Sequence, residues 1–119
     1  MKSHSKEPTK REEFIEEGKN KICNDRAKEY GDALETHQDI ADVWMPIIRN
    51  ALSRYGRILP AHVAIMMSML KNIRASKNLL HTDSWVDGCG YPALGGELSQ
   101  RMKDEIIQLE KKNETRTLY

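Results

Sequence analysis

Apolar side chains in the middle of this chain recur every three or four residues, and this spacing is the strongest restriction on its fold. The repeat is clear over residues 40–55 and again over residues 63–79, and it has the period of an α-helix. Alternating β-branched runs, which strands need, are nearly absent, and there is a single phenylalanine. The pattern predicts an all-α protein, a bundle of four or five helices.

Local signals mark the ends of the first two predicted helices. Thr9 and Glu12 have the spacing of a capping box, which begins the first helix, and Gly31 ends it. The second helix ends at Gly56. It contains Pro46, which should kink the helix or split it because proline lacks the backbone donor.

Proline and glycine also mark the remaining helices. The third begins at Pro60, a favoured first position, and the fourth begins near Thr82. Pro92 and the pair Gly95–Gly96 should limit the length of the fourth helix. A last, more polar helix is predicted over residues 98–111.

Composition narrows the class of protein. The 119 residues carry 19 basic and 18 acidic side chains, a formal net charge of +1. This balance does not favour nucleic acid as a partner, because a DNA- or RNA-binding domain usually has a broad basic surface. The N-terminus lacks the apolar core of a signal peptide, and the most apolar segment is too short to span a membrane. Cys23 and Cys89 are expected to be reduced thiols of a cytoplasmic protein.

The chain length suits one domain with a modest core. We expect a single helical domain over residues 10–112, with frayed ends at residues 1–9 and 113–119. The apolar stripes are wide for such short helices. Part of this apolar surface is therefore predicted to be buried in a homo-oligomer.

Two aspartates at the start of the fourth helix are the strongest candidates for a functional site. Asp83 and Asp87 lie one turn apart on one face, where like charges repel by roughly 0.2–0.5 kcal/mol. A divalent cation between them would remove this repulsion. Lys71 and Arg74 end the third helix, and a short connection makes consecutive helices antiparallel neighbours. The four side chains together predict a site for a metal-bound nucleotide.

Each of these residues also has a structural interpretation. Asp83 suits the first turn of a helix, where a carboxylate caps a free amide and favours the helix dipole. Asp87 suits an ion pair with Lys71 or Arg74. Lys71 and Arg74 alone are typical of a solvated surface.

A second acidic pair lies in the second helix. Asp39 and Asp42 are three residues apart, and Glu35 precedes them by one turn. They offer a second set of carboxylate ligands from a neighbouring helix. An isolated pair of this kind is also typical of the wet face of an amphipathic helix.

Aromatic and histidine side chains add weaker candidates. Tyr30 and Trp44 have rings of the kind that stack on a nucleobase, although core packing is the more frequent role of tryptophan. His37 and His81 are metal-ligand types, but histidines outside a cluster are more often structural.

An ordered set of motifs resembles a family of small helical proteins from phages and prophages. The motifs are "RAKEYGD", "IADVW", "HVAIMMSMLKNIR" and "HTDSWVDGCGYPAL", and they extend from Asp25 to Leu94. That group in turn resembles, more distantly, the MazG-type all-α nucleoside triphosphate pyrophosphohydrolases. This resemblance implies a dimeric or tetrameric helical bundle. It also implies Mg²⁺ or Mn²⁺ held by acidic residues on two neighbouring helices.

The resemblance assigns individual positions as well. "DSWVD" matches a Glu-Glu-x-x-Asp motif, with Asp83 first, Asp87 last and Ser84 in place of the middle glutamate. The other motif of these enzymes, Glu-x-x-Glu, has no clean equivalent, and Asp39 and Asp42 match it best by spacing. All four aspartates are thus implied to be catalytic metal ligands.

The leading hypothesis is a metal-dependent pyrophosphohydrolase that acts on a (d)NTP in a phage or prophage nucleotide pool. Lys71, Arg74, Tyr30 and Glu35 are its predicted substrate-binding residues. One alternative is a non-catalytic module that holds a nucleotide or a host protein. A helix-turn-helix DNA reader fits less well, because the helix after Gly56 is strongly apolar where a recognition helix needs polar side chains.

Overall fold

Helices make up most of residues 6–118, which the computed structural model describes apart from the side chains of residues 25–27 and 115–118. The α-helices are α1 (Lys10–Asn20), α2 (Arg26–Tyr30), α3 (Ala33–Tyr55), α4 (Pro60–Lys77), α5 (Thr82–Arg101) and α6 (Lys103–Leu118). A π-helical turn at Lys21–Asp25 joins α1 to α2 without a break, so the described chain forms five helical rods. These residues include no strand, which confirms the predicted all-α class. The predicted frayed ends fall partly outside the described residues, at residues 1–5 and 119.

The first predicted helix is observed, with the π-helical turn in its interior. Thr9 Oγ1 accepts a hydrogen bond from the Glu12 amide at 3.2 Å, and Glu12 Oε2 accepts one from the Thr9 amide at 3.3 Å. This reciprocal pair is the predicted capping box. Gly31 ends the segment with φ of 73°, a value that favours glycine. Among the described elements, α1 contacts only the π-helical turn, so α1 projects from the rest of the molecule.

The second predicted helix is α3, which begins and ends on local signals. Asp32 is its N-cap, and Asp32 Oδ2 accepts a hydrogen bond from the Glu35 amide at 3.3 Å. Gly56 closes it in the left-handed conformation, with φ of 76°. The helix continues through Pro46, so the predicted alternative of a split at Pro46 is wrong.

The limits predicted for the fourth helix are also wrong, because α5 continues through Pro92 and both glycines to Arg101. Proline at position 92 removes the amide that would bond to the Gly88 carbonyl, four residues earlier. Ser68 Oγ of α4 donates to this carbonyl at 3.4 Å. A contact from another helix therefore compensates for the proline. The last helix accordingly begins at Lys103 rather than at residue 98.

Small residues form the contact between α4 and α5, the most extensive helix pair in the structure. A Cβ at Gly95 would lie 3.1 Å from the Ala64 Cβ. Ser68 and Ala75 of α4 and Ser84 of α5 are also buried. Because these side chains are short, the two helix backbones approach closely.

Two further helices, α3 and α6, pack beside this pair. Trp44 of α3 donates its indole N–H to the Met66 carbonyl of α4 at 2.6 Å. The helix α6 returns along α3, where Tyr55 donates to Glu110 at 3.3 Å. Among the described residues, no large side chain is fully buried. None of the helices that the structure describes has both the length and the apolarity of a membrane-spanning helix.

Candidate functional site

Lys71 and Asp87 meet across the α4–α5 pair. Ala64 faces Gly95, and the Lys71 Cβ lies 3.6 Å from where a Cβ at Gly88 would be, so the two helices run antiparallel. Lys71 Nζ lies 3.1 Å from Asp87 Oδ2. Since the Lys71 side chain is 17% exposed and that of Asp87 is 48% exposed, the pair lies at the edge of the helix contact.

A cavity of about 180 Å³ opens beside this ion pair. We call it the polar pocket, because its walls hold three cationic side chains, three carboxylates, a histidine, a hydroxyl and a phenol. Its lining residues are Lys21, Glu29, Tyr30, Lys71, Arg74, His81, Asp83, Ser84 and Asp87. The helices α2, α4 and α5 and the π-helical turn therefore all contribute to one small mixed-charge site.

Hydrogen bonds around His81 join two walls of the polar pocket. His81 Nδ1 lies 3.4 Å from the Tyr30 hydroxyl and 3.3 Å from Ser84 Oγ. On the other side of the ring, His81 Nε2 lies 3.6 Å from Glu29 Oε1. Arg74 completes this part of the site, with its guanidinium carbon 5.2 Å from the centre of the Tyr30 ring. The end of α2 is thus linked through His81 to the start of α5.

The structure brings together five of the eight predicted site residues. Asp83 and Asp87 line the polar pocket with Lys71, Arg74 and Tyr30. This is the approach of acidic and basic side chains that the antiparallel arrangement of the third and fourth predicted helices implies. Asp83 makes no hydrogen bond or ion pair with the other side chains that the structure describes.

The three remaining predicted residues lie along α3 and do not line the polar pocket. Lys77 is at the end of α4, and its Nζ lies 2.9 Å from Asp39 Oδ2 and 3.4 Å from Glu35 Oε1. The hydrogen bond to Asp39 raises the pKa of Lys77 above its ordinary value. Asp42 Oδ1 accepts a hydrogen bond from Gln38 at 2.9 Å. These carboxylates therefore have structural partners.

Two residues of the polar pocket have no clear signal in the sequence, and two others have a weak one. Lys21 lies in the π-helical turn and Glu29 in α2 directly after it, and the turn that positions them has no sequence signal. In the sequence, His81 is a histidine outside any cluster, and Ser84 stands in place of a glutamate of the acidic motif. Their closeness to Asp83 along the chain was the available signal.

The carboxylates of the polar pocket suit a metal ion that arrives with phosphate groups. Among the described residues, no group of three or more histidine, cysteine or acidic side chains is arranged to hold a metal by itself. Mg²⁺ usually needs only one or two carboxylates, because water and substrate phosphates fill its other positions. Asp83 and Asp87 are two such carboxylates, and Lys71 and Arg74 beside them are of the residue types that bind phosphate oxygens.

The fold and site together define a small all-α protein with a mixed-charge pocket beside an antiparallel helix pair. Residues 13–99 match a family described as a domain of unknown function, DUF6378, and the chain belongs to this family. The chain is also similar to the gene 55 protein of Mycobacterium phage L5, with 41% identity over 70 residues. This match covers 59% of the chain and 42% of the phage protein, so the chain spans less than half of that relative. No solved structure matches the chain.

Proposed function

We propose that the protein is a metal-dependent nucleotide pyrophosphohydrolase, which cleaves a (d)NTP with water to give the monophosphate and pyrophosphate. The main support for this proposal is that acidic and basic side chains line the same pocket. Asp83 and Asp87 line it together with Lys71 and Arg74. Ligands for a divalent cation and partners for phosphate oxygens are thus side by side.

Each group in the polar pocket has a role in this reaction. Asp83 and Asp87 would hold Mg²⁺ or Mn²⁺, which when bound lowers the pKa of a water ligand and neutralises phosphate charge. Lys71 and Arg74 bind phosphate oxygens. Glu29 is the third carboxylate of the pocket, and it accepts the proton that the attacking water loses.

Turnover assays test the proposal directly. Purified protein is incubated with each common NTP and dNTP in the presence of Mn²⁺ or Mg²⁺, and pyrophosphate release is measured. We expect Asp83→Asn to abolish release, because this change keeps the side-chain size and removes the charge. The matched control is Asp42→Asn, outside the polar pocket. Absence of pyrophosphate release from every nucleotide would refute the activity.

A second candidate function is a non-catalytic nucleotide-binding module. It is favoured by Asp39, which lies 2.9 Å from Lys77 instead of facing the polar pocket. The second carboxylate pair of a MazG-type site is therefore not assembled there. Calorimetry with α,β-imido nucleotides separates the two functions, since binding without turnover of the natural nucleotides favours the module.

We also propose that the protein is a homo-oligomer, a dimer or tetramer of the MazG-type bundle. The projecting helix α1 exposes Phe14 and Ile15, and Leu80 of the α4–α5 connection is 93% exposed. The Cα radius of gyration is 20.0 Å, against about 13.5 Å for a compact chain of this length. Light scattering should give a mass above the 13.7 kDa monomer, and Phe14→Glu should lower it. A clean wild-type monomer at micromolar concentration would overturn this proposal.

The biological setting follows from the relative. Similarity to a phage protein supports a phage or prophage setting, and the proposed activity would place the protein in nucleotide metabolism there. The reaction would then take place in the host cytoplasm, where the nucleotide pool is.

A further inference from the structure

A second and larger cavity, of about 390 Å³, lies next to the polar pocket. We call it the apolar cavity, because carbon atoms form most of its lining. Its walls include Ile22, Tyr30, Ala33, Thr36, His37 and Ile40. Its volume falls within the range of small-molecule sites in proteins, about 300–1,000 Å³.

Two residues belong to both cavities. Tyr30 and Arg74 line the polar pocket on one side and the apolar cavity on the other. The guanidinium carbon of Arg74 lies 5.2 Å from the centre of the Tyr30 ring, so the two side chains form a common wall. Because the two cavities share this wall, a ligand that places its charged end in the polar pocket and its apolar end in the apolar cavity would have matching surroundings at both ends.

Polar groups within the apolar cavity suit a flat heterocycle. His37 Nδ1 lies 2.6 Å from the Ala33 carbonyl. Because a carbonyl only accepts, Nδ1 carries the proton, and Nε2 of the neutral ring is left as an acceptor. Nucleobase edges carry N–H donors, and their faces stack on aromatic rings such as that of Tyr30.

We propose that the apolar cavity binds the base of a nucleotide whose phosphates lie in the polar pocket. This inference rests on the proposed function, and it deepens it by making the base a required part of the substrate. Inorganic polyphosphate would fill only the polar pocket. An apolar side chain from a second copy is a poorer occupant, because Asp32 and Arg74 also line the cavity and would lose hydration against it.

Filling the cavity tests the inference. Ala33 lines it from the first turn of α3 and is otherwise exposed, so Ala33→Phe places a ring where the base would lie. Ala33→Leu is the smaller variant, used if the first does not fold by circular dichroism. The control is Ala41→Phe, exposed on the same helix and outside the lining of both cavities.

Calorimetry with Mn²⁺ compares two probes, the α,β-imido dNTPs and inorganic tripolyphosphate. We expect the wild type to bind at least one of the nucleotides about tenfold or more tightly than tripolyphosphate, as stacking of one base would provide. Ala33→Phe should remove this difference while leaving the affinity for tripolyphosphate unchanged. Ala41→Phe should behave as the wild type.

The remaining outcomes separate the inference from the proposed function. Equal affinity of the wild type for both probes would overturn the base site and leave the metal–phosphate site intact. Equal weakening of both probes by a folded Ala33 variant would overturn it as well. A lower oligomeric mass of Ala33→Phe by light scattering would show that a second copy fills the cavity. Absence of binding by either probe would overturn the proposed function and the inference together.

Discussion

Lys71 Nζ lies 3.1 Å from Asp87 Oδ2, so the carboxylate proposed as a metal ligand is also the partner of a cation from the neighbouring helix. The sequence left these two roles of Asp87 as alternatives. They are compatible, because a carboxylate has two oxygens with about four lone-pair sites, and the contact of Lys71 with Oδ2 does not use them all. The Asp87 side chain is about half exposed. An ion pair in that setting stabilises the fold by about 1 kcal/mol or less.

The first prediction concerns Asp87→Asn. Without metal, we expect a loss of roughly 0.5–1 kcal/mol, because Lys71 loses its partner but keeps access to water. With Mn²⁺, the melting temperature of the wild type should rise and that of the variant should not, since only a ligand bound to the folded state stabilises it. Thermal melts of both proteins in chelator and in excess Mn²⁺ measure this. An equal Mn²⁺ response in the two proteins would remove Asp87 from the metal site.

The second prediction is that Asp39 of α3 takes no part in the reaction. Asp39→Asn should leave metal-dependent turnover unchanged, because Asp39 is paired with Lys77 and does not line the pocket. The same change should lower the pKa of Lys77, whose largest upward influence is the hydrogen bond to Asp39. Turnover assays and an NMR titration of the Lys77 side chain measure the two effects. A loss of activity comparable to that of Asp83→Asn would return Asp39 to the catalytic residues.

The contribution of the Asp39–Lys77 pair to stability has a defined pH dependence. The pKa of Lys77 is raised in the folded state. The stabilisation is therefore fully present below the pKa that Lys77 has in the unfolded chain, and it is lost as the pH rises through the pKa of Lys77 in the folded state. Wild type and Asp39→Asn should accordingly converge in stability at strongly alkaline pH.

The third prediction compares two adjacent glycines of α5. A Cβ at Gly96 would meet no atom within 4 Å, so Gly96→Ala should stabilise the protein by about 0.5–1 kcal/mol through helix propensity. At Gly95 the Cβ would lie 3.1 Å from the Ala64 Cβ and 3.7 Å from the Ala61 carbonyl oxygen. Gly95→Ala should therefore give no such stabilisation, or should destabilise the protein. Urea denaturation of both variants tests the difference, and an equal gain would contradict close packing of α4 and α5.

The fourth prediction concerns His62 in the first turn of α4. Burial lowers the pKa of His62 from its ordinary 6.5, and its Nδ1 accepts a hydrogen bond from the Leu59 amide at 3.0 Å. Because the folded state disfavours the charged ring, its contribution to stability is complete above pH 6.5 and decreases as the pH falls through the folded pKa. Melting temperatures between pH 5 and pH 8 should decline more steeply on acidification in the wild type than in His62→Gln. Parallel pH profiles would exclude His62 as the titrating group.

The helical class and most helix ends follow from the amino-acid sequence, because they depend on groups within one or two turns of each other. The capping box at Thr9, the left-handed glycines at positions 31 and 56, and the start at Pro60 are all observed. The antiparallel approach of Lys71 to Asp87 also followed from the short connection between two helices.

The length of α5 and the set of residues that line the polar pocket depend on contacts between helices. Pro92 and Gly95 stay helical because Ser68 and Ala64 of another helix contact that segment, and local propensity carries no information about such contacts. In the same way, a π-helical turn brings Lys21 into the pocket, while Asp39 pairs with Lys77 outside it. Side chains distant in sequence meet there only after the helices have packed, and spacing along the chain does not specify that packing.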